Sequence, residues 1–163
     1  MRYRQLGNSG LTVSVVGLGA NNFGRRLDAH DTERVVDAAI TAGITFIDTA
    51  EAYEGSEACL GPALRGKRQQ VVLSSKFGHP FNERESLARA SRLAILESLH
   101  GSLQRLQTDY LDVYMLHQPD PRTPMEETLD TLARLVRRGL IRYFGFSNLP
   151  AWESTEAVWL CRG

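Results

Sequence analysis

Cysteine is scarce in this sequence: two among 163 residues, Cys59 and Cys161, far apart and outside any CxxC or Cys/His spacing. That argues against a disulfide framework and against a metal site, and both thiols read as small apolar side chains. Neither charge is in excess, since 19 Lys and Arg stand against 19 Asp and Glu. The basic residues are scattered among acids, without the patch or stripe that grips nucleic acid or an anionic membrane surface. Long hydrophobic runs are also missing. No stretch approaches the roughly 20 apolar residues of a membrane span, and the opening ten residues lack the apolar core of a secretory leader, so a cytoplasmic protein is expected. Low-complexity segments, linkers and charge blocks do not occur, which leaves residues 1–163 as a single domain. With 42% hydrophobic and 23% charged residues, the chain has a globular composition and enough length to bury a core.

What is present is a regular alternation. Short runs rich in β-branched and aromatic residues recur at Val15 to Leu18, Ile44 to Ile47, Val71 to Leu73, Tyr110 to Leu116 and Ile141 to Phe146, each reading as a buried strand. Between them, residues 31–41, 57–64, 91–106 and 125–137 carry apolar side chains at spacings of three and four, the signature of helices. Thr123, Pro124, Met125 and Glu126 read as a capping box with Pro at the first helical position. Gly43, Gly66 and Gly139 supply stops. Strand and helix in alternation with short connections imply right-handed crossovers and a parallel sheet, hence the α/β class. At the front, Tyr3 to Leu6 and Leu11 to Val13 flank Asn8, Ser9 and Gly10 as a short hairpin, placed to plug the bottom of a barrel.

The chemistry is expected where strands end, because a parallel barrel builds its site from the residues at the C-terminal ends of its strands. The second run leads into Asp48 and Thr49, with Tyr53 in the loop beyond. The third ends in Ser74, Ser75 and Lys76, the fourth in His117 and Gln118, the fifth in Ser147 and Asn148. Each has an ordinary reading when taken singly: a solvated Lys, an exposed or structural His, an Asp that caps a turn, a Tyr that packs. Together, a carboxylate, a phenol, an ammonium and an imidazole at three consecutive strand ends make poor use of buried space unless they satisfy one another. Of the four, Tyr53 alone is a neutral acid, with a reference pKa of ~10 that a nearby cation lowers. It is the candidate proton donor. Lys76 supplies the cation, Asp48 holds Lys76 as its ion-pair partner, and His117 donates a hydrogen bond that orients a substrate oxygen. Gly17, Gly19 and Asn22 fall short of a dinucleotide fingerprint, for the third Gly and the acidic residue in a following strand are missing. Those glycines read instead as points where backbone passes close to a ligand or a neighbouring strand.

The residues from Phe46-Ile-Asp-Thr-Ala-Glu-Ala-Tyr53 through Gly55-Ser-Glu, then Ser75-Lys-Phe-Gly78, Leu116-His-Gln-Pro-Asp-Pro121 and Gly145-Phe-Ser-Asn148 resemble the aldo-keto reductases. Gly17-Leu-Gly19 and Thr108-Asp-Tyr-Leu-Asp112 fit the same pattern, so the resemblance runs in order along nearly the whole chain. Residues 119–148 look most like the branch holding bacterial methylglyoxal or glyceraldehyde-phosphate reductases and potassium-channel β subunits. The resemblance implies a (β/α)8 barrel of the TIM type and NADPH-dependent reduction of a small aldehyde or ketone. Hydride leaves the nicotinamide while Tyr53 protonates the oxygen, with Asp48, Lys76 and His117 in support. It also implies that Ser147 and Asn148 hold the nicotinamide carboxamide and that Ala20, Asn21 and Asp48 line the cofactor.

A barrel of this type has eight units and about 250 residues, so the expectation for this sequence is five βα units, with the later units that grip the cofactor's phosphates beyond its end. The first and fifth strands would then be open edges, and pairing of two copies through them is one expected outcome. A non-catalytic binding module on the same fold, like the channel β subunits, is the alternative reading, and an inactive fragment a further one.

Overall fold

Side chains of a strand alternate between two faces, and in this chain that alternation separates the chemistry from the core. The computed structural model describes residues 1–80 and 88–161. Strands β1 (Tyr3–Gln5) and β2 (Thr12–Ser14) form the antiparallel hairpin. There follow β3 (Gly17–Gly19), α1 (Ala29–Thr41), β4 (Phe46–Asp48), α2 (Ser56–Ala63), β5 (Val72–Phe77), α3 (Arg92–Leu106), β6 (Leu111–Leu116), α4 (Met125–Arg137), β7 (Ile141–Phe146) and α5 (Ala151–Leu160). Strands β3 to β7 make one parallel sheet in sequential order. A sheet whose order never reverses has no switch point of the kind that dinucleotide folds use, so the barrel expectation holds over five units.

Register sorts the two faces. Asp48 pairs with Ser74 and Ser74 with Val113, while Lys76 pairs with Met115 and Met115 with Gly145, which puts these residues on the inner face. The opposite face carries Ile47, Leu73, Phe77, Tyr114 and Leu116, which pack with Val36, Leu60, Ile95, Leu99, Leu132 and Leu135 of the helices into one core. The Phe77 and Tyr114 rings lie 4.8 Å apart in that layer.

The hairpin docks at the N-terminal end of β4. Tyr3 donates its hydroxyl to the Gly43 carbonyl (3.1 Å), and the Ser14 and Thr45 side chains exchange hydrogen bonds with each other's backbone amides (both 2.9 Å). It thus covers the end of the sheet opposite the strand-end residues, as expected of a plug. Asp112, at the start of β6, is a second tie at that end. Its buried carboxylate accepts from the Leu73 amide (2.9 Å), Arg68 (2.8 Å) and Arg142 (2.8 Å), and both guanidiniums lie over the Tyr110 ring, 4.2 and 4.1 Å from its centre. This gives the Thr108-to-Asp112 motif a structural reason, binding β5, β6 and β7 together.

Two local expectations are corrected. Val15 and Val16 are 45% and 49% exposed, because the first sheet strand begins only at Gly17; the two valines belong to the link from the hairpin. Thr123 does not cap α4. Its hydroxyl donates to Asp120 (2.8 Å), a carboxylate held by the Ala90 and Arg122 amides, and Pro124 takes the N-cap position. A charged acceptor within the preceding turn outcompetes the helix for that hydroxyl. The three glycine stops are observed, with φ of +82° at Gly43, +74° at Gly66 and +72° at Gly139.

Candidate active site

The backbone ladder between β4 and β5 does not stop where the strands do. Thr49 donates to the Ser74 carbonyl (2.9 Å) and Glu51 to the Lys76 carbonyl (3.1 Å), while the Ala20 amide donates to the Asp48 carbonyl (2.9 Å). Behind the loop, the Ser56 hydroxyl bonds both the Thr49 hydroxyl and the Ala20 carbonyl, each at 2.8 Å. Gly24 and Gly55 meet backbone to backbone, both with φ of +74°; a Cβ on Gly24 would lie 2.5 Å from the Gly55 carbonyl carbon. Only glycine allows that approach and that φ. The loop carrying Tyr53 is therefore fixed by the loop after β3 on one side and by β5 on the other.

Lys76 is 5% exposed, and a buried ammonium requires partners for its three protons. It bonds the Asp48 carboxylate (2.5 Å), the Thr49 carbonyl (2.9 Å) and the Tyr53 hydroxyl (3.5 Å). The Tyr53 and His117 rings meet edge to face, 5.7 Å apart at an interplanar angle of 84°. Asp48, Tyr53, Lys76 and His117, predicted from three different strands, thus form one cluster. Burial lowers the His117 pKa to about 4, with the nearby Lys76 ammonium and His79 adding to the effect and Asp48 opposing it. The imidazole is neutral near pH 7, and its Nδ1 is buried without a partner among the described residues.

Ser147 and Asn148 follow β7 beside this cluster. The Asn148 amide donates to the His117 carbonyl (2.8 Å) and to the Ser147 hydroxyl (2.9 Å), from a backbone with φ of +58° that Asn tolerates. Ala20 is fully buried, its backbone holding Asp48 and Ser56, and Asn21 is exposed in the adjoining loop. A Cβ on Gly17 would meet the Phe46 ring at 3.2 Å, a close approach to the neighbouring strand, whereas one on Gly19 would meet nothing within 4 Å.

Two residues at this end of the sheet escape sequence reasoning. His79, three residues past Lys76, packs its ring 4.6 Å from that of His117, and burial together with Arg89 lowers its pKa. Glu51 accepts from the Gly78 amide (3.0 Å). The only available signal was their closeness in sequence to Lys76 and Tyr53. No group of three or more His, Cys, Asp and Glu among the described residues is arranged to hold a metal ion.

Five parallel strands in sequential order, with polar side chains gathered at their C-terminal ends and helices on the outer face, define a (β/α)-barrel protein of the TIM type. Within that class the family is settled by comparison. The Aldo/keto reductase family model matches residues 15–162, and the chain belongs to that family. It is 38% identical over 156 residues to the aldo-keto reductase YhdN of Bacillus subtilis, covering 91% of this chain and 47% of that protein. It is 39% identical over 166 residues to a probable voltage-gated potassium channel subunit beta of Oryza sativa, covering 96% and 49%. Among solved structures, the aldo-keto reductase AKR11C1 from Bacillus halodurans in its holo form superposes with a TM-score of 0.87 at 36% identity, over 98% of this chain and 54% of that one. The chain spans about half the length of the curated relatives it matches.

Proposed function

We propose that the chain carries the catalytic groups of a reductase that converts a small aldehyde or ketone to its alcohol at the expense of NADPH. The observation that carries the reading is Lys76, a buried ammonium whose three protons go to Asp48, the Thr49 carbonyl and the Tyr53 phenol. A purely structural lysine has no need of a phenol at the mouth. When bound beside these residues, reduced nicotinamide would supply the hydride needed at the carbonyl carbon. The Tyr53 proton goes to the carbonyl oxygen, and the adjacent ammonium stabilises the phenolate left behind. Asp48 holds Lys76 in place, and the neutral His117 donates a hydrogen bond to the substrate oxygen without competing as an acid.

The residues fit the cofactor assigned by resemblance. Among the described residues, the Ser147 hydroxyl proton and the Asn148 amide oxygen have no protein partner, and a carboxamide offers the matching acceptor and donor. The open space beside Gly19 admits a flat ring close to the backbone. Ala20, being buried, contributes by fixing this backbone, and Asn21 is the exposed side chain of the same loop. A cytoplasmic setting and closure of the sheet edges by a second copy of the chain belong to the same proposal.

The test is the Tyr53→Phe variant assayed with NADPH and an aldehyde. Loss of turnover with the fold retained supports the reading; unchanged turnover defeats it. The identity with a potassium channel subunit beta favours a second reading, a binding module on this fold, under which both proteins are inactive and the parent still binds NADPH.

A further inference from the structure

Glu51 lies between Asp48 and Tyr53 but on the other side of the sheet from them. Its backbone amide donates to the Lys76 carbonyl (3.1 Å), and its carboxylate accepts from the amide of Gly78, two residues further along (3.0 Å). The carboxylate thus takes the place of the next rung in the ladder between the two strand-end loops, after the backbone rungs at Thr49 and Glu51. At the ends of β6 and β7 the backbone rungs also run on, from the His117 amide to the Phe77 carbonyl (2.8 Å) and from the Ser147 amide to the Leu116 carbonyl (2.8 Å), and there too a side chain, the Asn148 amide on the His117 carbonyl (2.8 Å), makes the next tie.

The carboxylate is also set in a buried polar layer. Ser98 of α3 lies beside it, and Glu57 of α2, Arg105 of α3 and Tyr114 of β6 are the charged and titratable groups that face it. Glu57, 2% exposed, is held by Arg105 (2.7 Å) and by the Ser75 hydroxyl (2.6 Å). Burial, assisted by Glu57, raises the Glu51 pKa against the hydrogen bonds and Arg105 that lower it.

We infer that Glu51 is a positioning residue: by clamping Lys76 through Gly78 from behind the sheet, it holds Lys76 in register with the Tyr53 loop. The inference rests on the reductase reading only for naming Tyr53 and Lys76 as the working pair. An ordinary surface Glu in a turn would leave the Gly78 amide indifferent to its removal and to its charge. A positioning carboxylate makes that amide report on both.

The experiment is amide NMR on the full chain, with Glu51→Ala and Glu51→Gln beside the parent. In the parent, the Gly78 amide resonance moves with pH, with a carboxyl midpoint raised from the ordinary glutamate value. Loss of a charge-assisted bond in Glu51→Ala speeds Gly78 amide exchange by about tenfold or more and shifts the Lys76 and Tyr53 amides. Glu51→Gln, which keeps an acceptor but not the charge, restores protection to within about threefold and removes the carboxyl phase of the pH response, leaving only what the adjacent His79 contributes. Unchanged Gly78 exchange in Glu51→Ala, or a Gly78 pH response as large in Glu51→Gln as in the parent, overturns the inference. Should Glu51→Ala fail to fold, the parent and Glu51→Gln titrations decide by themselves. Neither readout needs cofactor or turnover, so an inactive parent defeats the reductase reading and leaves this one standing. In an active parent, Glu51→Ala lowers kcat more than it changes KM, and Glu51→Gln recovers it.

Discussion

Removing the Tyr53 hydroxyl takes the third acceptor from the Lys76 ammonium but leaves Asp48 and the Thr49 carbonyl in place, so the lysine keeps its counter-ion. Tyr53→Phe is therefore expected to cut NADPH-dependent aldehyde turnover by about 10²–10⁴-fold, the usual worth of a positioned acid, with a melting temperature close to the parent's. His117 gives a second test at this scale. The folded protein holds the imidazole neutral down to about pH 4, while an unfolded histidine protonates near ~6.5. Between those values the unfolded chain binds more protons, so the contribution of His117 is complete above 6.5 and is lost as pH falls toward 4. Urea midpoints measured from pH 7.5 to 4.5 are expected to fall less steeply for His117→Gln than for the parent; Glu51, shifted the other way, acts equally in both. Equal slopes would contradict a neutral buried imidazole. Asp48, Tyr53, Lys76 and His117 were legible in the sequence because polar types ended apolar runs. Glu51 and His79 were not, because a loop glutamate or histidine reads as solvated until α3 or a neighbouring ring is seen to cover it.

At the scale of elements, legibility followed length and burial. The runs at β6 and β7 were read to their observed last residues, since six alternately packed residues leave little choice of register. At β3, three residues with two glycines carry hardly any pattern, and the exposed valines before them supplied a false one. The Thr123 cap failed for a related reason: spacing alone cannot weigh Asp120 as a competing acceptor. The Asp112 tie was visible only as a family motif, and its energetics can be measured. Asp112→Ala leaves the largely buried Arg68 without its counter-ion and the Leu73 amide without an acceptor. That is expected to cost about 3–5 kcal/mol in urea unfolding, whereas Asp112→Asn should lose less because it keeps an acceptor for Leu73. Gly24→Ala tests the contact between the two loops at the opposite end. Strain at φ of +74° and collision with the Gly55 backbone together should cost about 2–4 kcal/mol and loosen the Tyr53 loop, lowering turnover as well as stability.

At the largest scale, what matters is that the sheet formed by the described residues has two edges. Among the described residues, strands β3 and β7 are each paired on one side only, and an unpaired parallel edge offers a row of amides and carbonyls to any strand that can reach it. All five strands run the same way, so continuing the parallel sheet from β7 of one copy into β3 of a second sets the second copy's strands parallel to its own. A two-fold axis along the common strand direction satisfies that requirement at both junctions at once. The same operation brings the C-terminal strand ends of both copies, with their Lys76 clusters, to one mouth, and it puts the hairpins together at the other end. Closed symmetry of this kind stops at two copies, whereas junctions without the axis would propagate into larger aggregates. Light scattering across micromolar concentrations is expected to give a discrete mass twice the 18.2 kDa of the chain, with NADPH binding by calorimetry confined to that species. A steady mass of one chain would rule the pairing out, and a mass that rises without limit would mean that the edges meet without the axis.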